Sequence, residues 1–184
     1  MDVIRRRRVI LAAGATLMAA GAARKSSAAG LSDVARLLMP VDPPRPPPEG
    51  VFIDAEGREH RLAEFLGHGM VINFWATWCQ PCIAEMPSLV SLAGALAPFG
   101  IAVLPLSSDR GGAKVVSAWY ADHQISGLPV LLDPRGALGR EFGGMGIPTT
   151  HVISRDGRER ARLQGAADWS SEATVALIRK LVEG

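Results

Sequence analysis

The sequence predicts an α/β protein folded as a three-layer sandwich around one central mixed sheet. Apolar runs typical of buried strands alternate with segments of helical periodicity between residues 70 and 142. A predicted hairpin precedes this region, and a second hairpin and a helix follow it. Since the chain has 184 residues, we expect one domain of ordinary size preceded by a leader and a linker.

The first predicted elements lead up to the only two cysteines of the chain. Residues 51–60 are expected to form an N-terminal β-hairpin extension, and residues 62–66 one helical turn. The mostly apolar run 70–75 predicts a central strand buried on both faces. A helix is expected over residues 79–97, and Pro87 inside it predicts a bend.

The second half of the chain continues the alternation. Residues 107–109, Ser-Ser-Asp, are expected to cap the next helix. The predicted elements are a strand at 101–106, a helix at 113–123, a strand at 129–132, a short helix at 138–142, a strand hairpin at 151–153 and 159–164, and a helix at 170–182.

The cysteine pair predicts redox chemistry. Cys79 and Cys82 are two residues apart at the expected start of a helix. The unpaired amides of the first helical turn and the helix dipole stabilise a thiolate on Cys79. The pKa of such a cysteine lies below the ~8.5 of a free thiol. Cys82, one turn inside the helix, can then close onto Cys79 and release a reduced target.

Two other interpretations of the cysteine pair remain open. As a structural staple, the bridge would close a four-residue loop and contribute only about 2 kcal/mol. As a zinc site, it would need further ligands, and a structural zinc ion usually has four. The histidines available for that purpose are scattered along the sequence, at His60, His68, His123 and His151.

Residues 1–30 have the layout of an export signal or an N-terminal anchor. Four arginines at 5–8 precede the uncharged run 9–23. This run is shorter than the about 20 residues that a membrane-spanning helix needs, so cleavage of the leader is favoured over its retention as an anchor. Residues 7–11 resemble a twin-arginine signal, with the general secretory route as the alternative. Either route predicts a periplasmic protein, released after cleavage or tethered to the inner membrane. A core helix at 9–23 is a further alternative.

Residues 31–49 predict a proline-rich linker. Five prolines fall within residues 43–48, where fixed φ angles and missing donors favour an extended, semi-rigid segment. We therefore expect the folded domain to comprise residues 50–184.

The charge balance argues against a nucleic-acid partner. The formal net charge of the chain is +2, but six basic residues and one acid lie in the first 30. The remainder carries 14 basic and 17 acidic residues. A domain with that balance has no general attraction to nucleic acid.

Several motifs resemble the TlpA, ResA and CcmG type of thiol-disulfide oxidoreductases in the thioredoxin superfamily, over about residues 50–184. The matching segments are 73–82 (NFWATWCQPC), 85–87 (EMP), 147–150 (IPTT) and 165–169 (GAADW), of which the last is especially similar to TlpA. The resemblance implies a thioredoxin-like fold and a disulfide reductase in which Cys79 attacks and Cys82 resolves. It also implies that Pro148 is a cis proline facing the pair; an ordinary trans proline is the alternative.

One departure from the cytoplasmic thioredoxins concerns proton transfer. Those proteins have a buried aspartate where this chain has Asn73, and an asparagine cannot exchange a proton with Cys82. Glu85 lies three residues after Cys82 and returns to nearly the same helix face. The resemblance implies that Glu85 is the active-site acid, with a pKa raised by desolvation. A solvent-facing glutamate that complements the helix dipole is the alternative.

The resemblance also implies the partners of the protein and requires no bound cofactor. The expected substrates are disulfide-bearing exported proteins. They are either assembly factors of the copper centre of cytochrome oxidase or apocytochrome c, and the likeness to TlpA favours the assembly factors. A membrane thiol donor of the DsbD or CcdA type is expected to restore the dithiol, and we expect a monomer. One alternative is a Cu(I) carrier that binds the metal through both thiolates, with His123 or His151 as an added ligand. A disulfide isomerase, which normally needs a dimer, is another.

Overall fold

The structure, a computed structural model of the chain, describes residues 32–144 and 146–184. The export signal or anchor predicted at 1–30 lies outside the described residues. The elements are β1 (Ser32–Asp33), α1 (Val34–Leu37), β2 (Met39–Arg45), β3 (Val51–Asp54), β4 (Glu59–Arg61), β5 (Gly69–Trp75), α2 (Gln80–Leu96), β6 (Ile101–Ser107), α3 (Gly112–Asp122), β7 (Leu131–Leu132), α4 (Ala137–Glu141), β8 (Thr149–Ile153), β9 (Glu159–Gln164), β10 (Ala167–Asp168) and α5 (Glu172–Glu183).

The strand predicted at residues 70–75 is the centre of the sheet. Within the described residues, eight strands pair in the order β2-β9-β8-β5-β6-β7-β3-β4. Strand β5 runs parallel to β6 and antiparallel to β8, and all its residues are buried. The sheet is therefore mixed, and the continuous apolar run is explained by burial on both faces. The predicted N-terminal hairpin is present as the antiparallel pair of β3 and β4.

Alternate side chains of β5 enter two hydrophobic cores. Val71 and Trp75 pack with residues of α2, α3 and α5 on one face, whereas Ile72 and Phe74 pack with residues of α4 on the other. The connections from β5 to β6 and from β6 to β7 join parallel strands. Because such crossovers are right-handed, they place α2 and α3 on the same side of the sheet. The predicted three-layer, thioredoxin-like fold is confirmed.

The segment predicted as a linker, residues 31–49, is largely part of the folded unit. Strand β2 pairs antiparallel with β9 at the edge of the sheet that residues 32–144 and 146–184 form. Prolines are tolerated on such an edge strand, because no other strand of this sheet needs their missing donors. Val34 is fully buried, and Nε of Arg45 lies 2.8 Å from the buried carboxylate of Glu159. The expected boundary at residue 50 is therefore wrong for the described part of the segment.

Two local expectations also differ from the structure. The Ser-Ser-Asp segment at 107–109 does not cap α3, which begins after Gly111 without a side-chain cap. The strand predicted at 129–132 is reduced to the two residues of β7. Helix α2 is continuous through Pro87, and the Ser171 side chain caps α5.

Candidate active site

The two cysteines lie at the start of α2, as the sequence predicts. Cys79 is the N-cap residue, and its Sγ accepts a hydrogen bond from the backbone N–H of Cys82 at 3.4 Å. The two sulfurs form a disulfide with an S–S distance of 2.07 Å. Cys79 is 6% exposed and Cys82 is 0% exposed, so solvent and partners reach the Cys79 sulfur first.

A cis peptide bond faces the disulfide. The Ile147–Pro148 bond is cis, which agrees with the isomer expected for Pro148. The carbonyl oxygen of Ile147 lies 3.8 Å from Sγ of Cys79. The loop before β8 therefore presents main-chain atoms directly beside the more accessible sulfur.

A groove of about 230 Å³ adjoins this loop. Ile147, Phe74 and Trp78 contribute to its lining, and Trp78 is 67% exposed although it directly precedes Cys79. Large exposed aromatic side chains are characteristic of contact surfaces. The groove and the Trp78 ring give the sulfurs an apolar border.

Glu85 is fully buried, which contradicts the alternative of a solvent-facing residue. Its Oε2 accepts hydrogen bonds from the indole Nε1 of Trp169 and from the backbone N–H of Ala167, both at 3.0 Å. Burial raises the pKa of the Glu85 carboxyl to about 7, and the hydrogen bonds that it accepts limit the rise. A carboxyl group with this pKa can both give and take a proton near neutral pH.

Asn73 is a partner of Glu85 that sequence reasoning did not identify. Its Nδ2 donates to Oε1 of Glu85 at 2.9 Å and to the hydroxyl of Thr150 at 2.9 Å. Asn73, at the strand position where cytoplasmic thioredoxins have an aspartate, thus holds the Glu85 carboxyl group in place. The sequence shows that an asparagine replaces the aspartate at this position. It does not reveal the contact with Glu85, which joins residues 12 positions apart.

Asp109 is a second residue whose role the sequence did not reveal. Its carboxylate accepts from the backbone N–H of Thr77 at 2.8 Å, from the Thr77 hydroxyl at 2.7 Å and from Ser107 at 2.7 Å. These bonds fix the loop that leads into Cys79. The adjacency follows from the parallel pairing of β5 and β6, whose carboxyl ends meet at one edge of the sheet.

The histidines proposed as added copper ligands lie apart from the cysteines. His151 is buried, with Nδ1 2.7 Å from a carboxylate oxygen of Glu159, and His123 stacks on Trp119. Within residues 32–144 and 146–184, no group of three or more His, Cys, Asp or Glu side chains is arranged to hold a metal ion. Thus no described His, Asp or Glu side chain is grouped with the two sulfurs.

Thioredoxin-fold thiol-disulfide oxidoreductases typically have a disulfide at a helix N-terminus, faced by a cis proline beside a mixed sheet. The comparisons with known proteins place this chain in that class. The chain belongs to the AhpC/TSA family, whose sequence model matches residues 45–161.

Individual relatives agree with this assignment. The chain is 32% identical over 118 residues to the thiol-disulfide oxidoreductase ResA of Geobacillus thermodenitrificans, which covers 64% of this chain and 67% of that protein. A thioredoxin-family thiol:disulfide interchange protein of Chlorobium tepidum aligns with a TM-score of 0.62 and 27% identity, over 77% of this chain and 97% of that chain. A secreted thiol-disulfide isomerase of Corynebacterium glutamicum is similar in fold, with a TM-score of 0.67 at 19% identity, over 80% of this chain and 93% of that chain.

Proposed function

We propose that this protein reduces disulfides of exported partner proteins, with Cys79 as the attacking thiol and Cys82 as the resolving thiol. The observation that carries the proposal is the disulfide at the N-terminus of α2, with the more exposed sulfur at the N-cap and the buried sulfur one turn inside the helix. The amides of the first turn favour a thiolate at the N-cap position. A partner therefore meets the activated sulfur first.

The reaction moves two electrons and two protons from the dithiol to the partner. The Cys79 thiolate attacks one sulfur of the partner disulfide, which forms a mixed disulfide and releases the other partner sulfur as a thiolate that takes up a proton. The Cys82 thiol loses its proton, and its sulfur displaces the second partner sulfur from Cys79. The products are a reduced partner and the Cys79–Cys82 disulfide.

In this mechanism Glu85 takes the proton of Cys82 and returns it to the leaving thiolate. The pKa of about 7 supports this role, because a carboxyl group that is half ionised at neutral pH is suited to both transfers. The position of Glu85, three residues after Cys82 on α2, agrees with it as well.

We further propose that the segment around Pro148 binds the partner peptide. The carbonyl oxygen of Ile147, the residue before Pro148, lies 3.8 Å from the Cys79 sulfur. An extended peptide next to the partner cysteine can pair with this backbone, as peptides do at other exposed main-chain edges. Its side chains would then contact the groove lined by Phe74 and Trp78.

The proposed site of action is the periplasm. The charged and apolar pattern of residues 1–30 supports export. A membrane thiol donor of the DsbD or CcdA type would reduce the disulfide after each cycle. Among the substrate classes we favour assembly factors of the cytochrome oxidase copper centre over apocytochrome c, because of the segment 165–169.

The test is to trap the mixed disulfide in the native host. A Cys82→Ser protein can attack a partner but cannot resolve the intermediate, so the partner should stay bound to Cys79 and be identified by mass spectrometry. The double variant that also carries Cys79→Ser is the matched control and should retain nothing. Recovery of copper-centre assembly factors supports the proposal in full. Predominance of apocytochrome c would contradict the preferred substrate, and indiscriminate trapping of newly exported proteins would contradict the reductase role.

A further inference from the structure

Trp169 is a fully buried residue that directly follows β10 and contacts the candidate acid. Its indole N–H donates to Oε2 of Glu85 at 3.0 Å across a sequence separation of 84 residues. The same oxygen accepts from the backbone N–H of Ala167 at 3.0 Å. One short segment therefore supplies both hydrogen bonds to one oxygen of the carboxylate.

This segment is attached to α2 at a second point. The backbone N–H of Trp169 donates to Oγ of Ser88 at 3.1 Å, and Ser88 in turn donates to the backbone carbonyl of Glu85 at 2.7 Å. Ser88 is buried as well. The indole is thus fixed relative to the same helical turn that carries Glu85, so its N–H is held in place for this contact.

The other partners of Glu85 are uncharged. The Asn73 amide on β5 faces Glu85. At the start of its own helix, the only titratable groups near Glu85 are the thiols that form when the disulfide is reduced. The half-buried carboxylate of Asp168 on β10 accepts instead from Ser170. The charged side chains of the neighbouring N-terminal segment and of α5 are all exposed, namely Asp33, Arg36, Glu172, Arg179, Lys180 and Glu183. The ionisation of Glu85 is therefore controlled by burial and by neutral donors.

We propose that Trp169 is a positioning residue for thiol-disulfide exchange, whose indole N–H orients the Glu85 carboxylate and sets the pH range in which it exchanges a proton with Cys82. The inference rests on the proposed role of Glu85. Hydrogen bonds donated to a carboxylate favour its ionised form. Without the indole N–H, Glu85 holds its proton up to a higher pH.

The experiment measures the ionisation of Glu85 directly in the oxidised protein. The carboxylic acid C=O stretch of a buried glutamic acid is followed by infrared difference spectroscopy across pH 5 to 9, with Glu85→Gln to identify the band. In Trp169→Phe we expect the midpoint to rise by about one pH unit, a tenfold change in proton affinity. The pH profile of disulfide exchange should move in the same direction.

Two further variants separate the hydrogen bond from general packing. Benzothienylalanine at position 169 keeps the shape of the indole and removes only its N–H, so the measurement does not depend on tolerance of a smaller ring. Trp119→Phe removes another indole N–H, from a residue of α3 that stacks on His123 and contacts Trp75 instead of Glu85. Its midpoint should equal that of the wild type.

The outcomes distinguish this inference from the proposed function. If Glu85→Gln abolishes the infrared band and alters the exchange profile but the benzothienylalanine protein keeps the wild-type midpoint, Trp169 is not a positioning residue and the role of Glu85 stands. If Glu85→Gln leaves the exchange profile unchanged, the proposed proton transfer by Glu85 fails, and this inference fails with it.

Discussion

Replacing Glu85 by glutamine should remove a specific part of the pH dependence of stability. The pKa of this carboxyl is raised from 4.5 to about 7 in the folded, oxidised protein, mainly by burial. Below pH 4.5 the group is protonated in the folded and the unfolded chain, and above pH 7 it is ionised in both. Between these values the folded state keeps a proton that the unfolded chain has lost.

The sign and size of the effect follow from this difference. Stability conferred by the protonated carboxyl is fully present below the unfolded pKa and is lost as the pH rises through the folded pKa. A pKa difference of this size corresponds to roughly 3 kcal/mol of unfolding free energy. Glutamine does not titrate, so the variant lacks this loss. Asn73 can accommodate the new amide by rotating, because its Oδ1 has no hydrogen-bond partner within the described residues.

The assay is urea unfolding of the oxidised wild type and of Glu85→Gln at several pH values from 4.5 to 8. The wild type should lose stability relative to the variant by roughly 3 kcal/mol over this range. Glu141→Gln, at an exposed position of α4, is the matched control and should follow the wild-type curve. Parallel curves for the wild type and Glu85→Gln would refute the reasoning, because they would mean that the folded state does not shift this pKa.

Three further predictions concern the surroundings of the sulfurs and the edge of the sheet. Asp109→Ala should lower the free energy of unfolding by about 2 kcal/mol and slow disulfide exchange, because it removes the acceptor of the Thr77 amide. The control Asp122→Ala, at an exposed position, should change neither the stability nor the exchange rate. Trp78→Ala should leave the urea midpoint nearly unchanged but slow reduction of a protein substrate about tenfold, and equal loss with a small-molecule disulfide would contradict a contact role. Deletion of residues 1–45 should lower the free energy of unfolding by about 3 kcal/mol more than deletion of residues 1–31, because it removes Arg45 from the buried Glu159 carboxylate. Equal thermal stability of the two shortened proteins would instead support the interpretation of residues 31–49 as a linker.

The sequence was sufficient for features encoded in local patterns. The apolar run 70–75 identified the central strand, and the spacing of Cys79, Cys82 and Glu85 identified three side chains around the first turns of one helix. Each of these features depends on residues within a few positions of one another, so periodicity and helix geometry reveal them.

Features formed by distant segments were not predictable in this way. The contact of Trp169 with Glu85 joins residues 84 positions apart, and that of Asp109 with Thr77 joins residues 32 apart. The prolines of β2 favoured an extended segment, which is correct, but composition does not tell whether an extended segment pairs with a sheet. That pairing depends on β9, more than 100 residues later in the chain.

The parallel pairing of β1 with β10 has a consequence for how the domain is attached to whatever precedes it. Ser32 and Asp33 pair with Ala167 and Asp168, and the amide of Ala167 is bonded to Glu85. The chain thus enters the domain one strand away from its buried acid. A tether or fusion partner placed upstream of residue 32 would transmit tension or displacement to the proton-transfer group through backbone hydrogen bonds. Versions of the protein that differ only in their leaders should therefore be compared for the pH dependence of exchange as well as for yield.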